Sequence, residues 1–478
     1  MIMRTDCAVC SSEGLAPRSQ VLLCADGREV AAILFQGPDE LLRRDEVGLS
    51  EAAWSLLGGV DGEWVHISHL PPVHSLGAVR GRIFGEPLSN AWLHEIVADV
   101  VAGKYSDVQL AAFITAASAL PLSDEETFSL TVSMARAGDQ LSWSKEAIDK
   151  HCVGGLPGNR TTPIVVAIAA ACGLTIPKTS SRAITSPAGT ADAMETVTCV
   201  DLDLETMRRV VENHGGCLAW GGALRISPAD DIFIGVERQL EIDPEGQLIA
   251  SVLSKKIAAG AKKLVLDIPV GPTAKVRSFA AGQRMATRMG QIAGRLGVET
   301  RSICSDGTQP VGRSIGPGLE MMDVLSVLRL EPDAPGDLRE RALVVAGAVL
   351  ELGGAAPVGA GIVLACQTLE DGSAYRKLED ICMAQGGFRK PPVAPLQKDI
   401  RATRSGHIRT IDNRKIARLA KFAGAPNSPA AGLRLNVKVN DVVRAGDVLL
   451  TLHSATHAEL DYALEYSASV GDTIAIEA

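Results

Sequence analysis

The 478-residue sequence lacks three features, and each absence narrows what the chain can do. It has no excess of basic residues, because 56 Asp and Glu outnumber 47 Lys and Arg and give a formal net charge of −9. Binding nucleic acid requires cations that neutralise the phosphate backbone, so we do not expect nucleic acid as the main partner. No apolar run approaches the ~20 residues of a membrane span, and the first six residues contain no apolar signal core. We therefore expect a cytoplasmic protein that does not enter a membrane.

The cysteines also lack the spacing of a disulfide framework or a zinc site. The ten cysteines are scattered, and most lie within apolar runs, which is typical of reduced, buried thiols. Cys7 and Cys10 have the spacing of a metal or redox pair, but no second Cys or His pair follows at zinc-finger distance. We expect no bound metal in the protein, and a frayed terminus at these two cysteines.

The chain is too long for one hydrophobic core, and its hydrophobic patterns divide it into several domains. Short apolar runs alternate with turns at the start, helical periodicity with N-cap signals follows, and buried strands then alternate with helices. Such strands are typical of a parallel sheet covered on both faces, so we predict the α/β class with a parallel or mixed central sheet. The predicted domains are residues 1–82 (small, β-rich), 83–146 with about 228–258 (helical), 147–227 with about 259–395 (larger, α/β) and 396–478 (β-rich).

Residues 149–195 place two glycine-containing turns, rich in hydroxyls and cations, on either side of one apolar helix. Thr162 suits the N-cap and Pro163 the first helical position, and the helix should end at Gly173. Free N–H groups and the helix dipole make its start a natural phosphate site, to which Lys150 and Arg160 add charge. The alternative is an ordinary loop between a strand and a helix.

Several separate motifs in one order resemble the thymidine phosphorylase family of pyrimidine-nucleoside phosphorylases. The motifs are Asp149-Lys150-His151, Gly154-Gly155, Ser180-Ser181-Arg182, Gly189-Thr190-Ala191-Asp192, residues 251–256 and residues 309–313. The resemblance covers residues 82–478. The N-terminal extension, together with residues 154–159 and 181–186, is similar to the AMP phosphorylase branch. The family is built on dimers, so the resemblance implies a homodimer or a higher homo-oligomer.

The resemblance implies a phosphorolysis, in which inorganic phosphate attacks C1′ of a ribose or deoxyribose and the base leaves. Phosphate is then a co-substrate, and no cofactor or metal is expected. The reaction needs an oriented phosphate, relief of its charge and a proton for the base. The implied catalytic residues are Lys150, His151 and Asp243, the last as proton donor. The implied phosphate-binding residues are Lys150, Gly155, Thr162, Ser180 and Thr190. The implied nucleotide-binding residues are Ser181, Arg182, Ala183, Ile184, Thr185, Ser186, Ser251, Lys255 and Lys275.

Two residues depart from the nucleoside branch. Cys152 stands where that branch usually has a serine that binds phosphate, and a thiol is a poor hydrogen-bond donor. Arg238 is offset by one or two positions from the arginine that reads the pyrimidine carbonyl. The sequence therefore leaves the identity of the base open.

For the substrate, we predict a nucleoside 5′-monophosphate of the AMP, CMP or UMP type, with ribose 1,5-bisphosphate as product. Arg182 and three neighbouring hydroxyls suit a phosphate dianion. The alternative is a thymidine or pyrimidine-nucleoside phosphorylase, in which an internal carboxylate such as Asp192 pairs with Arg182.

Two remoter alternatives are a phosphoribosyltransferase-like enzyme and a non-catalytic assembly protein. The first would need an acidic Mg²⁺ site, for which Asp192 and Glu195 are the candidates. We expect Asp192 to brace the phosphate loop instead.

Overall fold

A computed structural model describes residues 1–158, 160–183 and 186–477 of the protein. The chain forms two compact units, Met1–Ser133 with Ala229–Gln247 and Met134–Pro228 with Leu248–Ala478. The predicted α/β class is confirmed, with a helical region, parallel strands and an antiparallel C-terminal region. The finer division into four domains stays a prediction. In the described part of the chain, no helix is both long and apolar enough to cross a bilayer.

The first unit opens with a small β-rich segment. Its elements are β1 (Ile2–Arg4), α1 (Ala8–Ser12), β2 (Gln20–Ala25), β3 (Arg28–Ile33), β4 (Phe35–Gly37), α2 (Glu51–Leu57) and β5 (His66–His69). Strands β3, β2 and β5 form an antiparallel sheet, in which Asp26 and Gly27 turn the β2–β3 hairpin with φ of 46° and 75°. Cys7 and Cys10 are buried in the apolar core beside Met3. The expected frayed terminus is therefore wrong, because these thiols pack as small apolar side chains.

Four helices follow: α3 (Ser75–Ile83), α4 (Asn90–Val101), α5 (Asp107–Ala119) and α6 (Asp124–Arg136). The capping box before α6 is present, since Glu126 N donates to Ser123 Oγ at 3.2 Å and Ser123 N donates to Glu126 Oε2 at 2.8 Å. Helix α3 lies almost wholly inside the range predicted as β-rich. Gly77 and Gly81 weaken its helical pattern, which explains why periodicity did not indicate it.

The second unit contains the parallel strands. Its next elements are β6 (Ala147–Cys152), α7 (Thr161–Ala171), β7 (Ile176–Ser180), α8 (Thr190–Glu195), α9 (Leu204–His214), β8 (Gly216–Trp220), α10 (Pro228–Leu240), α11 (Glu245–Ala258), β9 (Ala261–Val270), α12 (Phe279–Arg295), β10 (Glu299–Asp306), β11 (Ser314–Ile315), α13 (Pro317–Leu328), α14 (Gly336–Gly353), α15 (Gly361–Glu370) and α16 (Ser373–Ala384). Of these, the unit boundaries assign most of α10 and the start of α11 to the first unit. Strands β10, β9 and β6 pair in parallel, as do β7 and β8. A parallel bridge between Ala147 and Thr175 links the two sets at the start of β6 and β7.

Helix α7 is buried all round, as its apolar sequence predicts. It begins two residues earlier than expected, because Arg160 is the N-cap and Thr161 the first helical residue. Pro163 consequently falls at the third helical position, where its missing N–H is still one that the helix leaves unpaired. The predicted end is confirmed, since Gly173 follows the C-cap with a left-handed φ of 84°.

The C-terminal region is antiparallel. Its elements are β12 (Leu396–Arg401), β13 (Gly406–Ile411), α17 (Asn413–Phe422), β14 (Gly432–Leu435), β15 (Val442–Val443), β16 (Val448–Ser454), α18 (His457–Ser469) and β17 (Ile474–Glu477). One sheet has the order β11-β14-β16-β12 and a second the order β15-β13-β17. Leu156, from the glycine turn after β6, is buried in the apolar core of this region. That contact fixes the turn between the α/β layer and the C-terminal strands.

Candidate active site

The first part of the candidate site is the carboxyl end of β6. Lys150 is fully buried, and its Nζ donates to Thr161 Oγ1 at 2.8 Å and to Thr162 Oγ1 at 2.9 Å. Both hydroxyls belong to the first turn of α7, so the ammonium group lies at the positive end of the helix dipole. Burial lowers the pKa of Lys150, while the nearby Cys152 and Asp267 act to raise it. The structure thus brings the predicted residues Lys150 and Thr162 together at a helix N-terminus, which is a suitable place for an anion.

Strand β7 contributes a hydroxyl from the neighbouring strand end. Ser180 is its last residue, and its Oγ is buried without a hydrogen-bond partner in the described part of the chain. A buried hydroxyl without a partner is costly, so such groups usually have a ligand or water in the working protein. Because β6 and β7 are linked in parallel, their carboxyl ends lie at the same edge of the structure.

The second glycine turn is held by Asp192. Its Oδ2 accepts the backbone N–H of Ala183 at 2.6 Å and that of Gly189 at 2.8 Å. The turn is tight, since a Cβ added to Gly189 would lie 2.5 Å from the carbonyl oxygen of Ser181. Thr190 follows as the first residue of α8. Asp192 therefore braces the loop, as expected, and no group of three or more metal-ligating side chains occurs among residues 1–158, 160–183 and 186–477.

Lys275 packs on the first glycine turn. A Cβ added to Gly154 would lie 2.7 Å from Lys275 Cβ, and Gly154 has a φ of 115°. Gly155 also has a positive φ, of 61°, which non-glycine residues rarely adopt. The loop after β9 and the loop after β6 are therefore adjacent, which brings Gly155 and Lys275 into one region.

His151 is surrounded by lysines. Burial lowers its pKa well below the usual 6.5, and Lys256, Lys178, Lys255 and Lys150 lower it further, in that order. The imidazole is consequently neutral near pH 7. A neutral ring offers one N–H donor and one acceptor to a base, but it lacks the second, acidic proton that an imidazolium would release as a general acid. Lys255 precedes Lys256 on α11, and Lys256 Nζ lies 2.7 Å from Asp149 Oδ2 on β6, so this helix packs against the strand.

Arg182 is paired with carboxylates. Its Nη2 lies 2.8 Å from Glu195 Oε1 and 3.2 Å from Asp201 Oδ1, and its Nη1 lies 3.5 Å from Asp192 Oδ1. The guanidinium also stacks on Trp220, with Cζ 4.6 Å from the ring centroid. Glu195, offered above as a candidate Mg²⁺ ligand, instead pairs with this arginine. The structure thus matches the alternative in which internal carboxylates hold Arg182.

The other residues of the predicted nucleotide-binding segment are only partly described. Ser181 and Ala183 flank Arg182, and Ser186 donates its hydroxyl to the carbonyl of Ala188 at 2.8 Å. Ile184 and Thr185 lie outside the described residues. Ser251 is on α11, one helical turn before Lys255.

Two predicted residues belong to the first compact unit. Asp243 lies between α10 and α11, and Arg238 lies near the end of α10. Neither residue is among those that the second unit brings together around Lys150. Their assigned roles stay predictions.

Arg160 does not add a free charge to the phosphate site. Its guanidinium is buried, donates from Nη1 to the carbonyl oxygen of Val311 and lies 3.3 Å from Glu320 Oε1. Burial raises the pKa of Glu320 to about 7, although Arg160 acts to lower it. The positive charge of Arg160, which the sequence analysis assigned to the phosphate site, is thus paired with Glu320. Glu320 lies 160 positions later in the chain, so no local sequence pattern indicates this pairing.

Sequence reasoning also missed three buried charged residues under the strand ends. Lys178, Lys256 and Asp267 are 4%, 2% and 0% exposed. Asp267 lies beside Cys152, and burial together with this carboxylate raises the pKa of the thiol well above its usual value. Cys152 is therefore a neutral thiol. The signal that could have found Lys178 and Lys256 is a charged residue inside an otherwise apolar, buried element.

The fold and these strand ends define a glycosyltransferase of the α/β type with a helical bundle. Residues 144–375 match the family described as "Glycosyl transferase family, a/b domain", and residues 78–138 match its helical bundle domain. Residues 407–471 match "Pyrimidine nucleoside phosphorylase C-terminal domain". A crystal structure of anthranilate phosphoribosyltransferase from Thermus thermophilus is similar in fold, with a TM-score of 0.53 and 20% identity over 64% of this chain and 99% of the other.

Similar sequences narrow the class to one family. A protein of Parvibaculum lavamentivorans named "Putative thymidine phosphorylase" is 57% identical over 100% of this chain and 95% of its own length. A protein of the same name from a Chelativorans species is 58% identical over 100% of this chain and 94% of its own length. A third, from Tolumonas auensis, is 57% identical over 100% of this chain and 95% of its own length. The chain belongs to the pyrimidine-nucleoside phosphorylase family.

Proposed function

We propose that the protein cleaves the N-glycosidic bond of a pyrimidine nucleoside with inorganic phosphate, giving the free base and a pentose 1-phosphate. The observation that carries this proposal is the pairing of Lys150 Nζ with the hydroxyls of Thr161 and Thr162 at the start of α7, at 2.8 and 2.9 Å. A phosphate bound there meets a buried cation, two hydroxyls and the helix dipole. The name shared by the similar proteins supports the same reaction.

In the proposed reaction, an oxygen of the bound phosphate forms a bond to C1′ while the bond between C1′ and the base nitrogen breaks. The electron pair of that bond leaves with the base. Lys150, Ser180 and Thr190 orient the phosphate and offset its charge. The neutral His151 and the cationic Lys255 stabilise the negative charge that develops on the base. Asp243 is the proposed proton donor, and no step requires a metal or another cofactor.

The pairing of Arg182 favours a nucleoside over its 5′-monophosphate. Three carboxylates already surround this guanidinium, so a phosphate dianion would have to compete with Glu195, Asp201 and Asp192. A neutral 5′-hydroxyl carries no such conflict. The 5′-monophosphate predicted from the sequence is the second candidate, and the observation that favours it is that the stem of a lysine, Lys275, packs on Gly154 in the first glycine turn.

A substrate panel tests the proposal. Thymidine, uridine, AMP, CMP and UMP are each incubated with the protein and phosphate, without added metal, and free base is measured. We expect phosphate-dependent release of base, with a higher kcat/KM for thymidine or uridine than for the matching monophosphate. Absence of base release from all five substrates would overturn the proposal and leave the binding or assembly role. A requirement for Mg²⁺ and a phosphoribosyl diphosphate would indicate a phosphoribosyltransferase instead.

The Arg182→Ala variant separates the two candidate substrates. If internal carboxylates hold Arg182, its removal changes the ratio of kcat/KM between a nucleoside and its monophosphate little. If the guanidinium binds a 5′-phosphate, the variant loses activity mainly on the monophosphate. We also infer a homodimer or higher homo-oligomer from the family, which light scattering of the purified protein would test.

A further inference from the structure

A buried lysine joins the three segments that carry the proposed substrate contacts. Lys256, on α11, is 2% exposed, and its Nζ lies 2.7 Å from Asp149 Oδ2 on β6. The same ammonium donates to the carbonyl oxygen of Thr179 on β7 at 3.2 Å. One side chain therefore connects helix α11 with strands β6 and β7.

Each of these contacts is one residue away from a proposed substrate contact. Asp149 precedes Lys150, Thr179 precedes Ser180, and Lys256 follows Lys255. Asp149 also accepts the backbone N–H of Lys150 at 2.6 Å, so the carboxylate that binds Lys256 directly holds the peptide of the phosphate-binding lysine. A shift of the Lys256 ammonium would move residues of the phosphate side and of the base side together.

Lys178 also contacts Asp149 and Thr179, but it does not make the connection to α11 that Lys256 makes. Its Nζ lies 3.4 Å from Asp149 Oδ1 and donates to Thr179 O, in its own strand, at 2.8 Å. Burial lowers the pKa of Lys178 far below its usual value, and the neighbouring Lys256 lowers it further. Lys256 is thus the closer partner of Asp149 and the contact that reaches β6 and β7 from α11.

We propose that Lys256 is a positioning residue that holds the phosphate-binding strand ends and the base-binding helix in the geometry needed for phosphorolysis. The proposal rests on the proposed function in that Lys150, Ser180 and Lys255 are taken as substrate contacts. It assigns to Lys256 no contact with either substrate.

The first test compares Lys256→Met with the wild type. Misplacement of reacting groups by about 1 Å can reduce the rate about 100-fold, so we expect kcat/KM to fall by about 10- to 100-fold. The KM values for phosphate and for the nucleoside should rise together, because the lysine connects both sides. Lys256→Arg keeps the buried charge and should recover part of the loss.

Lys263→Met is the matched control. Lys263 lies on β9, in the same sheet, and its Nζ pairs with Glu146 Oε2 at 2.7 Å, but it stands at the amino end of the strand and is partly exposed. Removing that ion pair should leave both KM values unchanged. Lys256→Met leaves Asp149 with Lys178 as its remaining cation, at 3.4 Å. Asp149→Asn combined with Lys256→Met removes the carboxylate as well, and this double variant should show the same rise in both KM values.

Two outcomes overturn the inference. If the variants unfold more easily but the folded fraction has unchanged KM values for both substrates, Lys256 has only a structural role. If only one KM rises, the lysine does not connect the two sides. Calorimetric titration of inorganic phosphate into the wild type and Lys256→Met measures, without turnover, whether Lys256 positions the phosphate-binding residues. If the wild type binds phosphate but releases no base, the proposed function fails, and the positioning role is then judged by whether the variant binds phosphate about tenfold more weakly.

Discussion

Removing the hydroxyl of Ser180 should separate phosphate binding from stability. The Oγ of Ser180 is buried and has no hydrogen-bond partner in the described part of the chain. Ser180→Ala therefore removes no hydrogen bond to another described residue and relieves a desolvated polar group. We expect the free energy of unfolding to stay the same or to rise by up to about 1 kcal/mol.

Phosphate binding, unlike stability, should become weaker in Ser180→Ala, and by a larger free energy. A hydrogen bond to a charged group contributes about 1.5–3 kcal/mol, so its loss should raise the KM for phosphate roughly 10- to 150-fold. The KM for the nucleoside should change much less, because Ser180 is on the phosphate side of the proposed site. Initial rates of base release over a range of phosphate concentrations measure both constants.

Ser314→Ala is the matched control for this experiment. Ser314 is also buried, but its Oγ donates to Asp323 Oδ1 at 2.8 Å, so its removal leaves a carboxylate with one donor fewer. This variant should lose about 1.5–3 kcal/mol of stability in urea unfolding and keep the wild-type KM for phosphate. If Ser180→Ala is destabilised like Ser314→Ala and keeps its phosphate KM, the Ser180 hydroxyl has an internal partner and does not bind phosphate.

Three further predictions concern the same unit. Lys150→Ala and Thr190→Ala should each reduce turnover and raise the phosphate KM, and unchanged phosphate kinetics in both variants would exclude these residues from the site. Gly189→Ala should disrupt the second turn and reduce activity, because its Cβ would lie 2.5 Å from a carbonyl oxygen. Gly294→Ala is the control and should be neutral or stabilising, because a Cβ there would have no atom within 4 Å. Circular dichroism and the rate of base release distinguish the two variants. Burial raises the pKa of Glu320 from 4.5 to about 7, so the folded state holds this proton more tightly and the free energy of unfolding should fall by about 3 kcal/mol as pH rises from 4.5 to 7. Urea unfolding across this range should show that decrease in the wild type, and Glu320→Gln should lack it.

Local chemistry made most elements of the fold predictable. The capping box at Ser123 and the left-handed conformation of Gly173 each depend only on a few neighbouring residues, so the sequence pattern predicts both. The start of α7 was misplaced because Thr161 uses its hydroxyl to donate to Gly158 O, at 2.8 Å, and accept from Lys150, so the chain is already helical before Thr162. That choice depends on Lys150, which lies on the preceding strand, eleven residues before Thr161.

The candidate site was predictable where its residues share one short segment. Lys150 and Thr162 are twelve residues apart, and a strand followed directly by a helix must bring them together. Lys256 follows Asp149 by more than a hundred residues, and their contact depends on how α11 packs against β6. Periodicity indicates that a helix has a buried face, but it does not indicate which strand end that face meets.

Arg182 shows why charge alone was an insufficient guide to the substrate. An arginine among hydroxyls fits a phosphate dianion, and the same arginine fits an internal carboxylate equally well, because both anions offer a bidentate pair of oxygens. The decision depends on what is already within reach in the folded protein. Here α8 places Glu195 against the guanidinium, and Asp201 approaches from beyond that helix. A ligand phosphate would have to exceed the combined attraction of these fixed carboxylates, which lose no association entropy, and a neutral 5′-hydroxyl faces no such competition.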